Sequence, residues 1–285
     1  MSKSFLPTRK LGKNSPTVSA LGKGAFYGKA DEKECFDTLT YAADRGMMFW
    51  DTAVIYGGSE KILGEWFAKT GRRSEIFLAT KFGAMDLSES GNRHKPNSKP
   101  SYIAGRTKKS LADLQTDYVD LYYQHPVDPQ VPIEVVMEAL RPFVRAKAVK
   151  GVGEKVIAAQ MEYNPFELTI EKNRFVDAIN EAGMAVVAYS PLARGLLTGR
   201  FRSPKDFGSY DYRSMLPRFS AKNFPKNLKI VDELQKIGEK YNASTSQITL
   251  AWILAEHPNF IPIPDIRKTE RLEGNARATE LNLSA

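Results

Sequence analysis

A chain of 285 residues, 42% hydrophobic and 26% charged, has enough apolar side chains for a sizeable core, as one large unit or two ordinary domains. No window approaches the roughly 18 uninterrupted apolar residues of a membrane span, and the opening MSKSFLPTRKLGKNS has no apolar signal core, so neither a membrane nor an export route is expected. The net charge of +8 is dispersed apart from small clusters such as Arg106, Lys108 and Lys109, or Arg267, Lys268 and Arg271. With no zinc-finger spacing and no aromatic RNA-binding signature, a nucleic-acid partner is not expected. A lone Cys35 excludes an internal disulfide and agrees with a reducing, cytoplasmic setting.

In chain order, LPTRKLGKNSPTVS reads as a short hairpin with a Gly-Lys-Asn turn, suited to plugging the floor of a barrel. Eight β-like runs come next: Val18 to Gly22, Met47 to Thr52, Ile76 to Lys81, Tyr118 to Gln124, Ala148 to Gly153, Ile157 to Tyr163, Met184 to Ser190 and Phe260 to Pro264. Several are almost wholly apolar, as parallel strands covered on both faces are. Helices are predicted over Asp31 to Arg45, Ser59 to Thr70, Ser101 to Leu114, Pro132 to Ala146, Thr169 to Ala182, Asn227 to Tyr241 and Ser244 to Glu256. Strand and helix in alternation predict a (β/α)8 TIM barrel occupying 1–285 as a single domain, with long loops on its C-terminal face. The stretch from Gly199 to Pro225 is longer than a barrel connection requires, which marks a loop that serves a site or is disordered.

One connection does not fit. Between Gly153 and Ile157 stand only Glu154, Lys155 and Val156, and four peptide steps of about 3.5 Å reach no more than about 14 Å. A parallel crossover needs about a dozen residues including its helix, so the expectation is that a segment of a longer chain has been dropped here.

Barrel enzymes draw their chemistry from strand C-termini, and the polar residues there are Asp51 with Tyr56, Lys81, Gln124 with His125, Gln160 with Asn164, and Tyr189 with Ser190. A phenol with an ordinary pKa near 10 needs a neighbour that eases its ionisation, and a buried lysine held charged by a carboxylate is one. An acid beside a cation at a carbonyl oxygen suits reduction, where hydride reaches carbon as charge builds on oxygen. Singly, each residue is more often packing or solvated surface; on successive strand ends, the catalytic reading is favoured.

The segments DTAVIYGGSEKILGEWF, LATKFG, DLYYQHPVDP, QMEYNPF, VAYSPLARGLLTGRF and IPIP with RLEGN resemble the aldo-keto reductase superfamily over nearly the whole chain. The resemblance is closest to bacterial and fungal members that reduce aldehydes and ketones. It implies NADPH/NADP+ as cofactor and a small-molecule carbonyl as substrate. It also implies a catalytic set of Asp51, Tyr56, Lys81 and His125, with Tyr56 the general acid and no metal. Further, it implies that Gln160 bonds the nicotinamide carboxamide, that Tyr189 stacks on the ring, and that Ser190, Leu192, Arg194 and Gly195 line the pyrophosphate. Arg267, Lys268, Arg271 and Asn275 match the segment for the adenosine end, where several cations favour a 2′-phosphate. Members that serve as redox-sensing regulatory subunits give the alternative: a nicotinamide-binding protein with little turnover. The chain departs from the pattern in three places: Asp265 and Ile266 replace glycine and threonine, the first strand around Ala20 to Ala25 is short, and the strand end at 153–156 lacks its polar contact. Phe26, Tyr27, Phe82, Met85 and Phe219 are candidates for an aromatic substrate pocket, although as core packing they would look the same.

Overall fold

In the computed structural model, which describes residues 5–13, 15–24, 31–84, 96–150, 156–208, 211–266 and 268–284, the chain opens with an antiparallel hairpin. Its strands β1 (Thr8–Lys10) and β2 (Thr17–Ser19) pair Arg9 with Val18. Six parallel strands follow: β3 (Phe49–Asp51), β4 (Phe77–Phe82), β5 (Leu121–Gln124), β6 (Ala158–Glu162), β7 (Ala185–Tyr189) and β8 (Phe260–Ile263). They form two three-stranded ladders, β3-β4-β5 and β6-β7-β8. Isolated parallel bridges supply further positions: Gly24 pairs with Asp265 beyond β8, Lys23 with Trp50 on β3, and Val119 with Val149. The architecture is therefore of (β/α)8 type, its first and fifth positions marked among the described residues by these bridges.

One expectation needs correction here. Val18 and Ser19 belong to the hairpin, so the first barrel position is held by Gly22 to Gly24, further along than the apolar run suggested. Gly22 is there because a Cβ would stand 2.7 Å from the Phe49 ring and 2.8 Å from Ile263 Cγ2. At the fifth position Val149 pairs with Val119 in a parallel bridge, and residues 151–153 of the expected run lie outside the described residues. Residues 151–155, which make the short connection before β6, lie outside the described residues.

Alternation along the strands sorts the core into two layers. Phe49, Ala79, Leu121, Tyr123, Ala158, Ala185, Val187, Ile261 and Ile263 face inward, and the hairpin's Leu11 and Val18 close the floor against them. Arg9 fastens the hairpin there by donating to the carbonyls of His257 (2.7 Å), Phe260 (2.9 Å) and Leu254. Outward-facing Trp50, Leu78, Phe82 and Tyr122 pack against the helices α1 (Glu32–Asp44), α2 (Ser59–Thr70), α3 (Pro100–Asp113) and α4 (Ile133–Arg145). Trp50 and Trp66 meet with ring centroids 4.9 Å apart.

The expected helix from Thr169 to Ala182 is broken into α5 (Thr169–Lys172) and α6 (Phe175–Glu181). Arg174 adopts φ +64° and the Asn173 side chain accepts from the Phe175 N–H at 3.1 Å, a local bond that competes with a continuous helix. The chain ends through α7 (Phe224–Tyr241), α8 (Thr245–Glu256) and α9 (Thr269–Ala276). A reciprocal cap between Ser244 and Gln247 starts α8.

Helices α2 and α3 meet at Gly64, where a Cβ would stand 2.3 Å from the Asp113 carbonyl oxygen. Gly64→Ala is therefore expected to destabilise the protein by about 1–3 kcal/mol, read as a lower chemical-denaturation midpoint; an unchanged midpoint would contradict this contact.

Candidate active site

The site follows from the strand period. Phe49 and Ala79 face inward, so Asp51 and Lys81, two residues on, face inward one layer higher. There the Lys81 ammonium donates to Asp51 Oδ1 and to the Thr52 carbonyl at 2.9 Å. Lys81 is 1% exposed and Asp51 4%. Neither charge could be buried at that depth alone, because desolvating an isolated ion costs far more than a fold can spare.

Tyr56 stands on the loop between β3 and α2. Its N–H donates to Ala53 O at 3.1 Å and its carbonyl accepts from Ser59 N at 3.0 Å, while Gly57 and Gly58 take φ +53° and +86° to complete the turn. Gly58 holds the cap position, and the Ser59 hydroxyl bonds Thr52 Oγ1 at 2.5 Å, tying the two ends of the loop together. Beneath it, buried Glu60 accepts from Thr80 Oγ1 at 2.7 Å. The loop thus delivers the Tyr56 hydroxyl to Lys81, whose ammonium donates to it at 3.4 Å and lies 4.8 Å from the ring centroid.

His125 follows β5, its N–H bonded to Phe82 O at 2.7 Å. Burial, then the Lys81 charge, lowers its pKa against the opposing pull of Asp51, so the imidazole is neutral at pH 7. Its Nδ1 is buried and has no hydrogen-bond partner among the described residues. Gln160 reaches the same centre from β6, but by donating to Asp51 Oδ2 at 2.7 Å. That contact holds the second carboxylate oxygen, a role that leaves no mark in the sequence pattern. Below them burial drives the Tyr123 phenol well above its ordinary pKa, so it stays protonated.

Beside this centre β7 ends in Tyr189, 37% exposed at the barrel mouth. Beyond it Ser190, Ala193, Arg194 and Gly195 take φ values of +49°, +49°, +56° and +94°. Within this turn the Ala193 N–H is taken by Ser190 O at 2.8 Å, so the Arg194 guanidinium is the group that suits an anion. Asn164, which the sequence pattern places at a strand end without a role, and Arg213, which no motif marks, hold this turn. Asn164 donates to Ser190 O at 3.1 Å, and Arg213 donates to Arg194 O at 2.9 Å while paired with Asp211 at 2.6 Å. Arg194 also faces Glu162 at 3.8 Å, as does Arg218 at 3.1 Å. Leu192 carries the carbonyl that accepts from Gly195 N at 2.9 Å. An exposed flat ring beside a left-handed turn with a guanidinium fits a nicotinamide dinucleotide.

Further round the mouth Lys268 and Arg271 are exposed, Lys268 facing Glu34 at 3.8 Å, and Asn275 is 6% exposed on α9. Arg267 lies outside the described residues. Of the aromatic pocket candidates, Phe82 and Phe219 are 1% exposed and belong to the hydrophobic core; Phe26, Tyr27 and Met85 lie outside the described residues. Phe219 joins Phe201, Phe207 and Phe224 in a cluster that orders the long 199–225 stretch. Among the described residues no group of three or more His, Cys, Asp or Glu could hold a metal ion.

Known proteins with similar sequences and folds agree with this geometry. The model of the aldo/keto reductase family matches residues 19–285. The aldo-keto reductase str7 of Strobilurus tenacellus is 42% identical over 305 residues, covering 98% of this chain and 89% of that protein. The NADP(+) aldo-keto reductase yakc of Schizosaccharomyces pombe is 39% identical over 303 residues, covering 98% and 88%. Both alignments are longer than this chain, so these relatives hold segments with no counterpart here, in keeping with the short connection before β6. A solved glycerol dehydrogenase from Gluconobacter oxydans superposes with a TM-score of 0.84 at 26% identity, covering 100% of this chain and 92% of that one. A barrel whose strand ends carry this ion pair and phenol, matched over nearly its whole length, belongs to the aldo/keto reductase family.

Proposed function

We propose that this protein is an NADPH-dependent oxidoreductase that reduces the carbonyl of a small aldehyde or ketone to an alcohol. The observation that carries the proposal is the chain from the Tyr56 hydroxyl through the Lys81 ammonium to the Asp51 carboxylate. The cofactor in the name of yakc, NADP(+), supports the choice of dinucleotide. NADPH supplies a hydride to the carbonyl carbon. Tyr56 gives its proton to the oxygen, and Lys81 stabilises the phenolate that remains. Asp51, held on its other oxygen by Gln160, keeps Lys81 charged. Neutral His125 donates an N–H to the same oxygen without competing for its proton.

Tyr189, Ser190, Leu192, Arg194 and Gly195 hold the cofactor's ring and pyrophosphate in this reading, with the Gln160 amide oxygen meeting the carboxamide while its NH2 stays on Asp51. Arg267, Lys268, Arg271 and Asn275 take the adenosine end. The reading extends to a single domain over 1–285 working in the cytoplasm. No described helix is long and apolar enough to cross a membrane.

Tyr56→Phe is expected to lower kcat for a reactive aromatic aldehyde by about 10²–10⁴-fold while NADP+ still binds; retained turnover would remove Tyr56 as the acid. A wild type that binds NADP+ without turnover would favour the redox-sensing alternative. Lys81→Met strands the Asp51 charge and should cost about 3–5 kcal/mol in denaturant unfolding, far more than a surface lysine would.

The lowered pKa of His125 fixes a further sign. Below the ordinary value near 6.5 the unfolded chain takes up a proton at His125 that the folded one does not, so stability falls as pH drops through that value. His125→Asn should flatten this part of the stability profile between about pH 7 and 5; an identical profile would contradict the assignment.

A further inference from the structure

The two residues that open α2 each grip a threonine adjoining one of the paired charges. Buried Ser59 bonds Thr52, the residue after Asp51, hydroxyl to hydroxyl at 2.5 Å. Buried Glu60 accepts at 2.7 Å from the hydroxyl of Thr80, the residue before Lys81. Alternation on β4 turns Thr80 outward with Leu78 and Phe82, toward the helices, while Lys81 points inward to Asp51. One strand residue therefore holds the helix and the next holds the site.

The two grips fix different things. Thr52 N donates to Ala79 O at 2.9 Å, so the entrance of the Tyr56 loop is held on β4 by the backbone. Ser59 ties the exit of the loop to that entrance, and its N–H donates to Tyr56 O at 3.0 Å. Glu60 ties the exit to β4 itself, one residue from Lys81. Its neighbours on α2, Leu63, Trp66 and Phe67, are apolar and pack into the outer core layer. Burial raises the Glu60 pKa, the mark of a carboxyl held where its charge is poorly solvated. A methionine would fill this layer without that penalty, but it would offer Thr80 no comparable acceptor.

We propose that Glu60 is a positioning residue for the carbonyl reduction: through Thr80 it sets the first turn of α2 against β4, and so the separation at which Tyr56 meets Lys81. This rests on the reaction proposed above. The Tyr56 hydroxyl and the Lys81 ammonium stand 3.4 Å apart, at the long end of a hydrogen bond, so a small outward shift of α2 is enough to lose the contact. Reacting groups need to be held to within about 0.5 Å, and a loop that turns through two glycines at positive φ needs an outside hold to achieve this. Asp51 and Lys81 stay paired through such a shift, because their strands hold them; the phenol is what moves.

The test is a double-mutant cycle on Thr80→Val, which removes the donor, and Glu60→Met, which removes the acceptor. It is read as kcat for a reactive aromatic aldehyde, as the NADP+ dissociation constant from tryptophan fluorescence, and as the separation of Tyr56 from Lys81 in cofactor-free crystal structures. Either substitution should lower kcat about 10-fold, and the double variant should lose no more than either alone, because both remove the same bond. The NADP+ dissociation constant should stay within about twofold, since the residues assigned to the cofactor lie on other elements. Thr80→Ser, which keeps the hydroxyl, should hold kcat to within about threefold of the wild type. In crystals of Thr80→Val the phenol and the ammonium should stand further apart by about 0.5 Å or more. A lowered denaturation midpoint with kcat unchanged would make Glu60 a packing residue and overturn the proposal, as would losses that multiply in the double variant. If Thr80→Val does not fold, Glu60→Met against Glu60→Gln, which keeps an acceptor oxygen, makes the same comparison, and equal kcat in those two would overturn it. A wild type that reduces no carbonyl would overturn the proposed reaction; the crystal comparison would still decide the brace, a wild-type separation in Thr80→Val or Glu60→Met overturning it and a lengthened one upholding it.

Discussion

An ammonium and a carboxylate, Lys81 and Asp51, are buried together at the mouth of this barrel, and the site is arranged around the need to keep them paired. Their strands are adjacent and in register, with Asp51 opposite Ala79, so Lys81 projects from the next inward position above. The third partner, Thr52 O, comes from the residue that also begins the loop carrying Tyr56. The phenol therefore meets a cation already fixed by two acceptors, which in the proposed reaction would leave little reorganisation for proton transfer.

Other polar contacts serve the same constraint at a remove. Gln160 occupies the Asp51 oxygen that Lys81 leaves, so the carboxylate is satisfied on both sides. Across the mouth, Asn164 and Arg213 stabilise a run of left-handed residues that would be strained without them. The long 199–225 stretch, reinforced by four phenylalanines, carries Arg213 to that turn. Its length is thus accounted for by packing and by the turn it supports, and Phe219 serves the first of these.

The fold tolerates shortened elements where other contacts take over. At the first position, glycines admit Phe49 and Ile263 closely, and backbone bonds from Gly22, Lys23 and Gly24 join β8 to β3. The connection before β6 has no room for a crossover helix, and relatives with longer alignments carry additional residues. The hairpin plug, with Arg9 clamped on three carbonyls at the start of β8, closes the floor independently of either shortened element.

Much of this was legible in the chain itself. Nearly continuous apolar runs located β3 to β8 to within a few residues, and the spacing of Asp51 and Tyr56 around a strand end announced a loop-borne phenol, because both are local properties of the chain. The tertiary structure alone decided the direction of Gln160, the grip of Arg213 on Arg194, and the burial of Phe82 and Phe219. These depend on which side chains face one another once the sheet has curved and closed, and no local pattern in the sequence encodes that.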